Sequence, residues 1–471
     1  MKNTGIIIGS LLLSGTNILA KDYPNIVLIN MDDAGLGDFS YKGAIDYETP
    51  NIDQLAANGR QFTHFLCAQP VSGASRAGLL TGCYPNRIGF AGAPMPNSGF
   101  GIHEDEMTLA ELVKQKGYST AIFGKWHLGD SKKFLPLQHG FDEYYGLPHS
   151  NDMWMYHPQQ GLYFNFKETD LPTIDGNEVI GYNTDQTQLT TDYTNRAVRF
   201  IEKNKGKPFF LYVAHSMPHV PLAVSDKFKG KSKQGLYGDV MMELDWSVGE
   251  ILKTLQKYDL EENTLVILTS DNGPWINYGN HAGSAAGLRE GKGTTFEGGN
   301  RVPCIMYWKG TVRAGSICNE LTSQIDLFPS IAELIGAELP QHTIDGTSIL
   351  PLITGNATET PRKNFVYYYR KNDLEAITDG TYKLIFPHKH RTYGDYLPGN
   401  DGQPGKVNEG KVLAEMELFD LRRDPGERYN VIEQYPEVVN KLVEVADYYR
   451  EELGDNLTNS KGKNVREAGK K

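Results

Sequence analysis

The sequence predicts an α/β fold, in which a large mixed, mostly parallel sheet is sandwiched by helices and a smaller C-terminal α+β subdomain follows. Apolar runs of strand length alternate with helical patterns from residue 25 to about 350, which is typical of parallel sheets covered on both faces. From residue 356 the pattern changes to short Tyr-rich strands and one long helix. We therefore expect a catalytic-type domain over residues 21–355 and a subdomain with a small antiparallel sheet and terminal helix over residues 356–471.

In the first half of the chain, buried strands are predicted at residues 25–30 and 119–123. A helix is expected to open at Thr49 and Pro50 and to end before Gly59, and another spans residues 107–117. Residues 130–190 are rich in Gly, Pro, Asp and Tyr with weak periodicity. We interpret them as long surface loops that contact the substrate.

The second half of the chain repeats this alternation of strands and helices. Strands are predicted at residues 209–214, 264–270 and 303–308, and helices at 190–203, 237–258 and 324–336. In the C-terminal part the strand candidates are residues 365–369, 382–386 and 417–421, a polar loop is expected at 390–411, and a helix at 436–453 precedes a tail expected to fray.

Composition restricts the class of partner. The 471 residues are 39% hydrophobic and 22% charged, which is typical of a soluble globular protein. The net charge of -11 argues against nucleic acid or an anionic membrane as a partner. A site for an anionic substrate would therefore need a local concentration of positive charge.

Residues 1–20 are typical of a signal peptide, with Lys2 before an apolar run over 5–13 and Ala20 as the cleavage point. The run is too short to span a bilayer. We expect an exported protein, periplasmic or secreted, without a membrane anchor. The four cysteines, Cys67, Cys83, Cys304 and Cys318, leave both disulfides and unpaired buried thiols open.

The small, flexible stretch over residues 72–82 carries a serine and an arginine four positions apart. If Ser75 or its neighbour caps a helix here, Ser72 and Arg76 lie at the N-terminus, where backbone N–H groups and the helix dipole favour an anion. A nucleophile beside an anion site is one interpretation, and an ordinary Gly-Ser turn before a helix is the other.

Two distant apolar strands end in similar polar groups. Asp32 and Asp33 follow the first strand, and Asp271 and Asn272 follow the strand at 264–270. Open α/β sheets place their sites at the carboxyl ends of such strands. Residues 291–295 look like part of a phosphate-binding P-loop, but Gly293 stands where Ser or Thr is required and position 286 is Ala, which excludes that motif.

With these pieces the chain resembles type I, formylglycine-dependent sulfatases of the alkaline phosphatase-like superfamily, over nearly all of its mature length. Five motifs occur in the family's order: Asp32-Asp33 with Gly35 and Asp38, residues 72–82, Gly124-Lys125-Trp126-His127, Ser270-Asp271-Asn272-Gly273, and residues 291–295 followed by Glu297-Gly298-Gly299 and Arg301. Residues 145–150 and 86–90 are similar to arylsulfatase A and N-acetylgalactosamine-6-sulfatase.

The resemblance implies that a formylglycine-generating maturation enzyme oxidises Ser72 to formylglycine. Serine rather than cysteine at this position points to the bacterial type matured by a radical enzyme. A hydrated aldehyde offers one hydroxyl to attack sulfur and a second to expel the sulfate, whereas a serine sulfate ester would be stable. Ala74 replaces the family's usual proline, and Cys83 replaces a common arginine.

The resemblance also implies one Ca²⁺ ion held by Asp32, Asp33, Ser72, Asp271 and Asn272, an all-oxygen set of the kind a hard cation prefers. The remaining roles are carried over in the same way. Arg76, Lys125 and Lys292 would stabilise the sulfate oxygens, His127 would be the base, His219 with Lys292 would assist the leaving alcohol, Ser150, Lys125, Lys292 and His219 would bind substrate, and His215 would be structural.

The implied activity is hydrolysis of sulfate esters on carbohydrates, exo-acting on sulfated galactose or N-acetylgalactosamine of host glycans. A phosphatase or phosphodiesterase of the same superfamily is the nearest alternative. Those relatives bind two zinc ions and typically have histidine after the late aspartate, where Asn272 stands here. A catalytically inactive secreted glycan-binding protein is the non-enzymatic alternative.

Overall fold

The computed structural model describes residues 23–157, 159 and 165–471, so the predicted signal peptide lies outside the described residues. The strands of the first 355 residues are β1 (Asn25–Met31), β2 (Arg60–Phe62), β3 (Phe65–Leu66), β4 (Phe100–Gly101), β5 (Ser119–Lys125), β6 (Glu143–Leu147), β7 (Pro172–Asp175), β8 (Glu178–Tyr182), β9 (Phe209–Ala214), β10 (Thr264–Ser270), β11 (Cys304–Tyr307), β12 (Ser316–Cys318) and β13 (Thr322–Ser323). The helices are α1 (Pro50–Asn58), α2 (Ser72–Thr81), α3 (Leu109–Lys114), α4 (Leu189–Asn204), α5 (Leu236–Lys257), α6 (Glu297–Asn300), α7 (Leu327–Ile335) and α8 (Leu350–Thr354).

One large sheet organises this part, in the order β12-β2-β11-β10-β1-β9-β5-β6-β7-β8. The centre is parallel, because β10, β1, β9, β5 and β6 pair in that sense, while β11, β7 and β8 are antiparallel to their neighbours. Every residue of β1, β9 and β10 is buried, as expected for strands covered on both faces. The predicted mixed, mostly parallel sheet is confirmed.

Helices cover both faces of the sheet. Alternate side chains of β1 point to opposite faces, so that Ile26 and Leu28 belong to one apolar cluster and Val27 and Ile29 to the other. The first cluster includes α2, α3 and α7, and the second includes α1, α4 and α5.

The C-terminal part is a small α+β unit, as predicted. Its strands are β14 (Phe365–Tyr369), β15 (Asp373–Thr378), β16 (Tyr382–Ile385), β17 (His388–Thr392), β18 (Asn408–Ala414), β19 (Glu417–Asp420), β20 (Gly454–Asp455), β21 (Ser460–Lys461) and β22 (Gly469–Lys470), and its helix is α9 (Pro436–Leu453). The antiparallel sheet β14-β15-β16-β19 packs against α9.

Three sequence expectations were wrong. Residues 130–190 are not all surface loops, because β6 is largely buried and joins the main sheet beside β5. The expected polar loop at 390–411 contains parts of the β17–β18 hairpin. The tail does not fray, since β22 pairs with β4, whose Gly101 lies against Phe134. In each case pairing with a distant segment outweighs weak local periodicity.

Two further features concern the whole chain. Within the described ranges, no helix combines the length and apolar character that crossing a bilayer requires. All four cysteines are buried free thiols, so the alternative without disulfides is the one that the structure has.

Candidate active site

The site lies where α2 meets the carboxyl ends of β1 and β10. Met31 and Ser270 are register partners at the ends of these parallel strands, which places Asp32 and Asp271 side by side. The backbone N–H of Asp33 donates to Asp271 Oδ1 at 3.1 Å, and Asp33 has a left-handed φ of 65° that turns the chain away from the strand. The two predicted carboxylate groups therefore share one edge of the sheet.

Ser72 is the first residue of α2, and its hydroxyl faces this edge. Its Oγ donates to Asp32 Oδ1 at 3.1 Å and lies 3.5 Å from Asn272 Oδ1. The expected cap at Ser75 is wrong, because the helix already begins at Ser72 with Val71 as N-cap. Ser75 instead donates to the carbonyl of Asp271 and to Gln324 Oε1, which fixes the helix against the end of β10.

Each of the three buried carboxylates has a cationic partner. Arg76 Nε and Nη2 donate to Asp271 Oδ2 at 3.0 and 2.9 Å. Lys125, at the end of β5, pairs with Asp32, and Lys292 Nζ lies 2.8 Å from Asp33 Oδ1. Buried charges are costly unless paired in this way.

These pairs set the protonation of the site. Burial opposes ionisation of Asp32, but the charges of Lys125, His219 and Arg76 hold its pKa below the usual value. Burial lowers the pKa of Lys125, and Asp32 only partly offsets this. Burial also disfavours the charged form of Lys292, but Asp33 and Asp32 raise its pKa above the usual value.

Two histidines lie near Ser72, in different loops. His127 follows β5 with φ of 60°, and neither of its ring nitrogens has a hydrogen-bond partner among the described residues. Burial, together with Lys125 and Arg76, lowers its pKa well below 6.5, so the ring is neutral and able to accept a proton. His219 Nδ1 faces the carbonyl of Val220, which leaves Nε2 towards Asp33 Oδ2 at 3.6 Å.

A cavity of about 160 Å³ opens above these groups. Of the predicted residues, Ser72, His127, Ser150, His219 and Lys292 line it, and Ser150 Oγ accepts from Lys125 Nζ at 3.2 Å. The structure therefore brings together every predicted site residue. His215 lies apart, with Nε2 at 3.3 Å from Ser247 Oγ on α5, in agreement with the structural role expected for it.

Sequence reasoning missed four polar or aromatic residues that line the cavity: Asp152, Trp275, Tyr369 and Arg391. Asp152 lies two residues after Ser150, and Trp275 follows Asn272 closely. Although burial opposes it, the charge of His219 and a hydrogen bond from His157 keep the pKa of Asp152 below its usual value. Tyr369 and Arg391 come from the C-terminal subdomain, and no local signal indicated them.

The donor set fits a hard cation. Ser72 Oγ, Asp32 Oδ1 and Asn272 Oδ1 converge within hydrogen-bond distances, with Asp33 beside them. Among the described residues, the group of acidic and imidazole side chains close enough to share an ion consists of Asp32, Asp33 and His219. The arrangement thus offers mostly oxygen ligands at one position, next to the hydroxyl of Ser72.

A buried hydroxyl at a helix start, an oxygen-rich ion position and three fixed cations define a hydrolase for an anionic ester. The family model described as sulfatase matches residues 24–337, and that for the C-terminal region of aryl-sulfatase matches residues 361–469. The chain belongs to the sulfatase family and is a sulfuric ester hydrolase.

Named relatives agree with this assignment. N-acetylgalactosamine-6-sulfatase of Mus musculus is 37% identical over 94% of this chain and 90% of its own length. Arylsulfatase A of Bos taurus is 37% identical over 91% of this chain and 87% of its own. The crystal structure of the PsFucS1 sulfatase from Pseudoalteromonas sp. superposes with a TM-score of 0.79 at 28% identity, covering 91% of this chain and 90% of that one.

Proposed function

We propose that this sulfatase removes sulfate esters from carbohydrates, as an exo-acting enzyme on sulfated galactose or N-acetylgalactosamine of host glycans. The observation that carries the proposal is that Ser72 contacts the oxygen ligands, whose carboxylates are paired with cations, and that Ser72 and Lys292 of this cluster line one small cavity. The choice of sugar is supported by the similarity to N-acetylgalactosamine-6-sulfatase over nearly the full chain. Export to the periplasm or beyond, based on residues 1–20, is part of the proposal.

The nucleophile is proposed to be formylglycine at position 72, made from Ser72 by a maturation enzyme. The hydrated aldehyde supplies one hydroxyl for attack on sulfur and a second whose deprotonation releases the sulfate. His127, neutral and without a hydrogen-bond partner among the residues that the structure describes, accepts that proton. The other steps of the reaction, binding of the sulfate and protonation of the leaving alcohol, would use groups that line or adjoin the cavity.

A Ca²⁺ ion is proposed at the position surrounded by Asp32, Asp33, Asp271, Asn272 and residue 72, where it would polarise the nucleophile and hold a sulfate oxygen. Arg76 and Lys125 fix the carboxylates in place, and Lys125 and Lys292 present positive charge to the sulfate. His219 Nε2 and Lys292 Nζ face the side from which the alcohol leaves, and one of them donates its proton.

The direct test is mass spectrometry of the peptide that contains residue 72, combined with a release assay for inorganic sulfate. We expect an aldehyde mass in protein from a host with the maturation enzyme, and Ser72→Ala to lose at least about 10³-fold in kcat because the nucleophile is gone. Thr81→Ala, at the far end of the same helix, is the control and should retain activity. Full turnover by Ser72→Ala would end the formylglycine hypothesis.

The sugar is tested separately with a panel of monosaccharides sulfated at defined positions. Release confined to glucosamine or uronic acid sulfates would contradict the galactose-type assignment. A protein with aldehyde at position 72 that is inert on every sulfate ester would support the alternative of a glycan-binding protein.

A further inference from the structure

A groove leads away from the catalytic cavity along the boundary between the catalytic domain and the C-terminal subdomain. A second cavity, of about 340 Å³, shares part of its wall with the first. A third, of about 390 Å³, shares Ala91 and Lys371 with the second. The residues common to the first two are Val71, Ala93, Gly293, Tyr369 and Arg391. The three cavities thus form one continuous path that begins at the nucleophile.

The junction between the first two cavities is closely fitted. Gly293 has a left-handed φ of 79°, and a Cβ there would lie 2.7 Å from Arg391 Nη1 and 3.1 Å from Tyr369 Oη. Tyr393 Oη donates to the carbonyl of Lys292. The C-terminal subdomain therefore contacts the loop that carries Lys292 directly, and Arg391 is held at the entrance of the groove.

The groove is positively charged, although the chain as a whole carries -11. Its wall contains Arg370, Lys371 and Arg391 against the single carboxylate of Glu409. Glu409 pairs with Arg391, with Oε1 2.8 Å from Nη2. Arg370 and Lys371 are exposed, and neither forms an ion pair in the part of the chain that the structure describes. Burial raises the pKa of nearby Asp373 and the charge of Arg370 opposes this, but among the described residues neither Arg370 nor Lys371 contacts a carboxylate directly, so both can still bind an anionic ligand.

The turn between β14 and β15, which carries Arg370 and Lys371, does not by itself explain why these residues are basic. Arg370 has φ of 51°, a left-handed conformation in which Gly, Asn or Asp is the usual residue and a long side chain is strained. An ordinary β14–β15 turn would be more stable with one of those residues. The arginine is therefore better explained by what its side chain contacts than by the backbone.

Building on the proposed function, we propose that the groove binds the next sugars of the substrate and that Arg370 and Lys371 recognise a second anionic group on them, a sulfate or a carboxylate. The sulfated terminal sugar occupies the cavity, and the chain on its reducing side continues along the groove. The substrate class is accordingly an anionic oligosaccharide rather than a free sulfated monosaccharide.

The test compares kcat/KM for four substrates with the same terminal sulfated sugar: the monosaccharide, an oligosaccharide with neutral following sugars, one with a second sulfate and one with a uronic acid carboxylate. We expect the wild type to prefer one of the two anionic chains to the neutral chain by about threefold to tenfold, because the two side chains are exposed and exposed ion pairs are weak. The anionic chain that is preferred identifies the group. Added salt should reduce the preference.

The double variant Arg370→Gln/Lys371→Gln should lose this preference, so that its anionic-to-neutral ratio approaches one. Lys207→Gln/Arg313→Gln removes the same charge from exposed positions before β9 and β12, at the opposite end of the sheet, and should keep the wild-type ratio. An unchanged ratio in the groove variant, or a wild type without preference, would overturn the inference. Absence of sulfate release from all four substrates would instead count against the proposed function.

Discussion

At the scale of single residues, burial holds one carboxyl group and one imidazole of the C-terminal subdomain in their neutral forms. Glu375 on β15 and His388 on β17 lie 3.2 Å apart, between Oε2 and Nε2. His388 Nδ1 donates to the carbonyl of Phe386 at 2.7 Å, so that Nε2 is left as an acceptor. Burial raises the pKa of Glu375 to about 8 and lowers that of His388 to about 4. Between those values the carboxyl carries the proton and the imidazole is neutral.

This pair predicts a pH-dependent contribution to stability. Below the ordinary pKa of a glutamate both folded and unfolded chains are protonated at Glu375, but between 4.5 and about 8 only the folded chain keeps the proton. The contribution of Glu375 therefore falls as pH rises through that window, by roughly 1.4 kcal/mol per pH unit, whereas that of His388 rises with pH between about 4 and 6.5. A Glu375 variant compared with wild type isolates the first effect. Glu375→Gln should remove it, so that the Tm of the variant relative to wild type is higher at about pH 7.5 than at about pH 5.5. Exposed Glu262→Gln is the control. If the Tm of both variants, relative to wild type, changed equally between the two pH values, the assignment to Glu375 would be contradicted.

Several residues that we propose for the chemistry could be predicted because they follow strongly apolar strands. Asp32, Lys125 and Asp271 each lie at or just beyond the carboxyl end of a parallel strand, where the fold places sites. Arg391 could not be predicted. It reaches the cavity only because the C-terminal subdomain packs against the loop of Gly293, and this long-range contact leaves no local pattern in the sequence.

At the scale of elements, α2 is buried on all sides, which makes its small residues a packing requirement. A Cβ added at Gly78 would lie 2.4 Å from the Cβ of Ala68 and 3.0 Å from the carbonyl of Cys83. Neither neighbour is the flexible end of a side chain, so the helix or the segment before it must move. That segment leads directly to Val71 and Ser72.

Gly78→Ala should therefore destabilise the protein by about 1–3 kcal/mol through overpacking, although alanine favours a helix by about 1 kcal/mol. The same displacement should lower kcat, because Ser72 moves relative to Asp32. Gly206→Ala is the control, since nothing lies within 4 Å of its added Cβ. Thermal unfolding and sulfate release measure the two effects, and a Gly78→Ala variant as stable and active as wild type would show that the helix has room.

Helices and strands were easier to predict when their apolar residues recur regularly over a long stretch. The long helices α4, α5 and α9 occur within a residue or so of their predicted bounds, because amphipathic patterns of that length are unambiguous. The strands β6, β7 and β8 were missed. They are short, and their place in the sheet depends on the neighbouring strand β5 and on one another rather than on their own pattern.

At the scale of the whole molecule, Lys383 joins the two units through a buried cluster of charges. It lies on β16 with no exposed side-chain area, and its Nζ is 3.0 Å from Glu297 at the start of α6 and 2.8 Å from Glu427. It also donates to the carbonyl of Thr295 at 2.7 Å. Glu297 is thus paired both with Arg301 of its own domain and with Lys383 of the subdomain, so the two units should unfold together.

Lys383→Met tests that coupling, because it leaves Glu427 buried without its cation and Glu297 with Arg301 alone, and should cost about 3–5 kcal/mol. Lys383→Met/Glu427→Gln should recover part of the loss, since one uncompensated carboxylate is removed with the lysine. All five tryptophans, Trp126, Trp154, Trp246, Trp275 and Trp308, lie in the catalytic domain, so their fluorescence reports mainly on that unit. If the units unfold as one, fluorescence-detected unfolding will shift as much as circular dichroism does, and exposed Lys389→Met will shift neither. A fluorescence transition that stays at its wild-type position in Lys383→Met would mean that the subdomain unfolds independently.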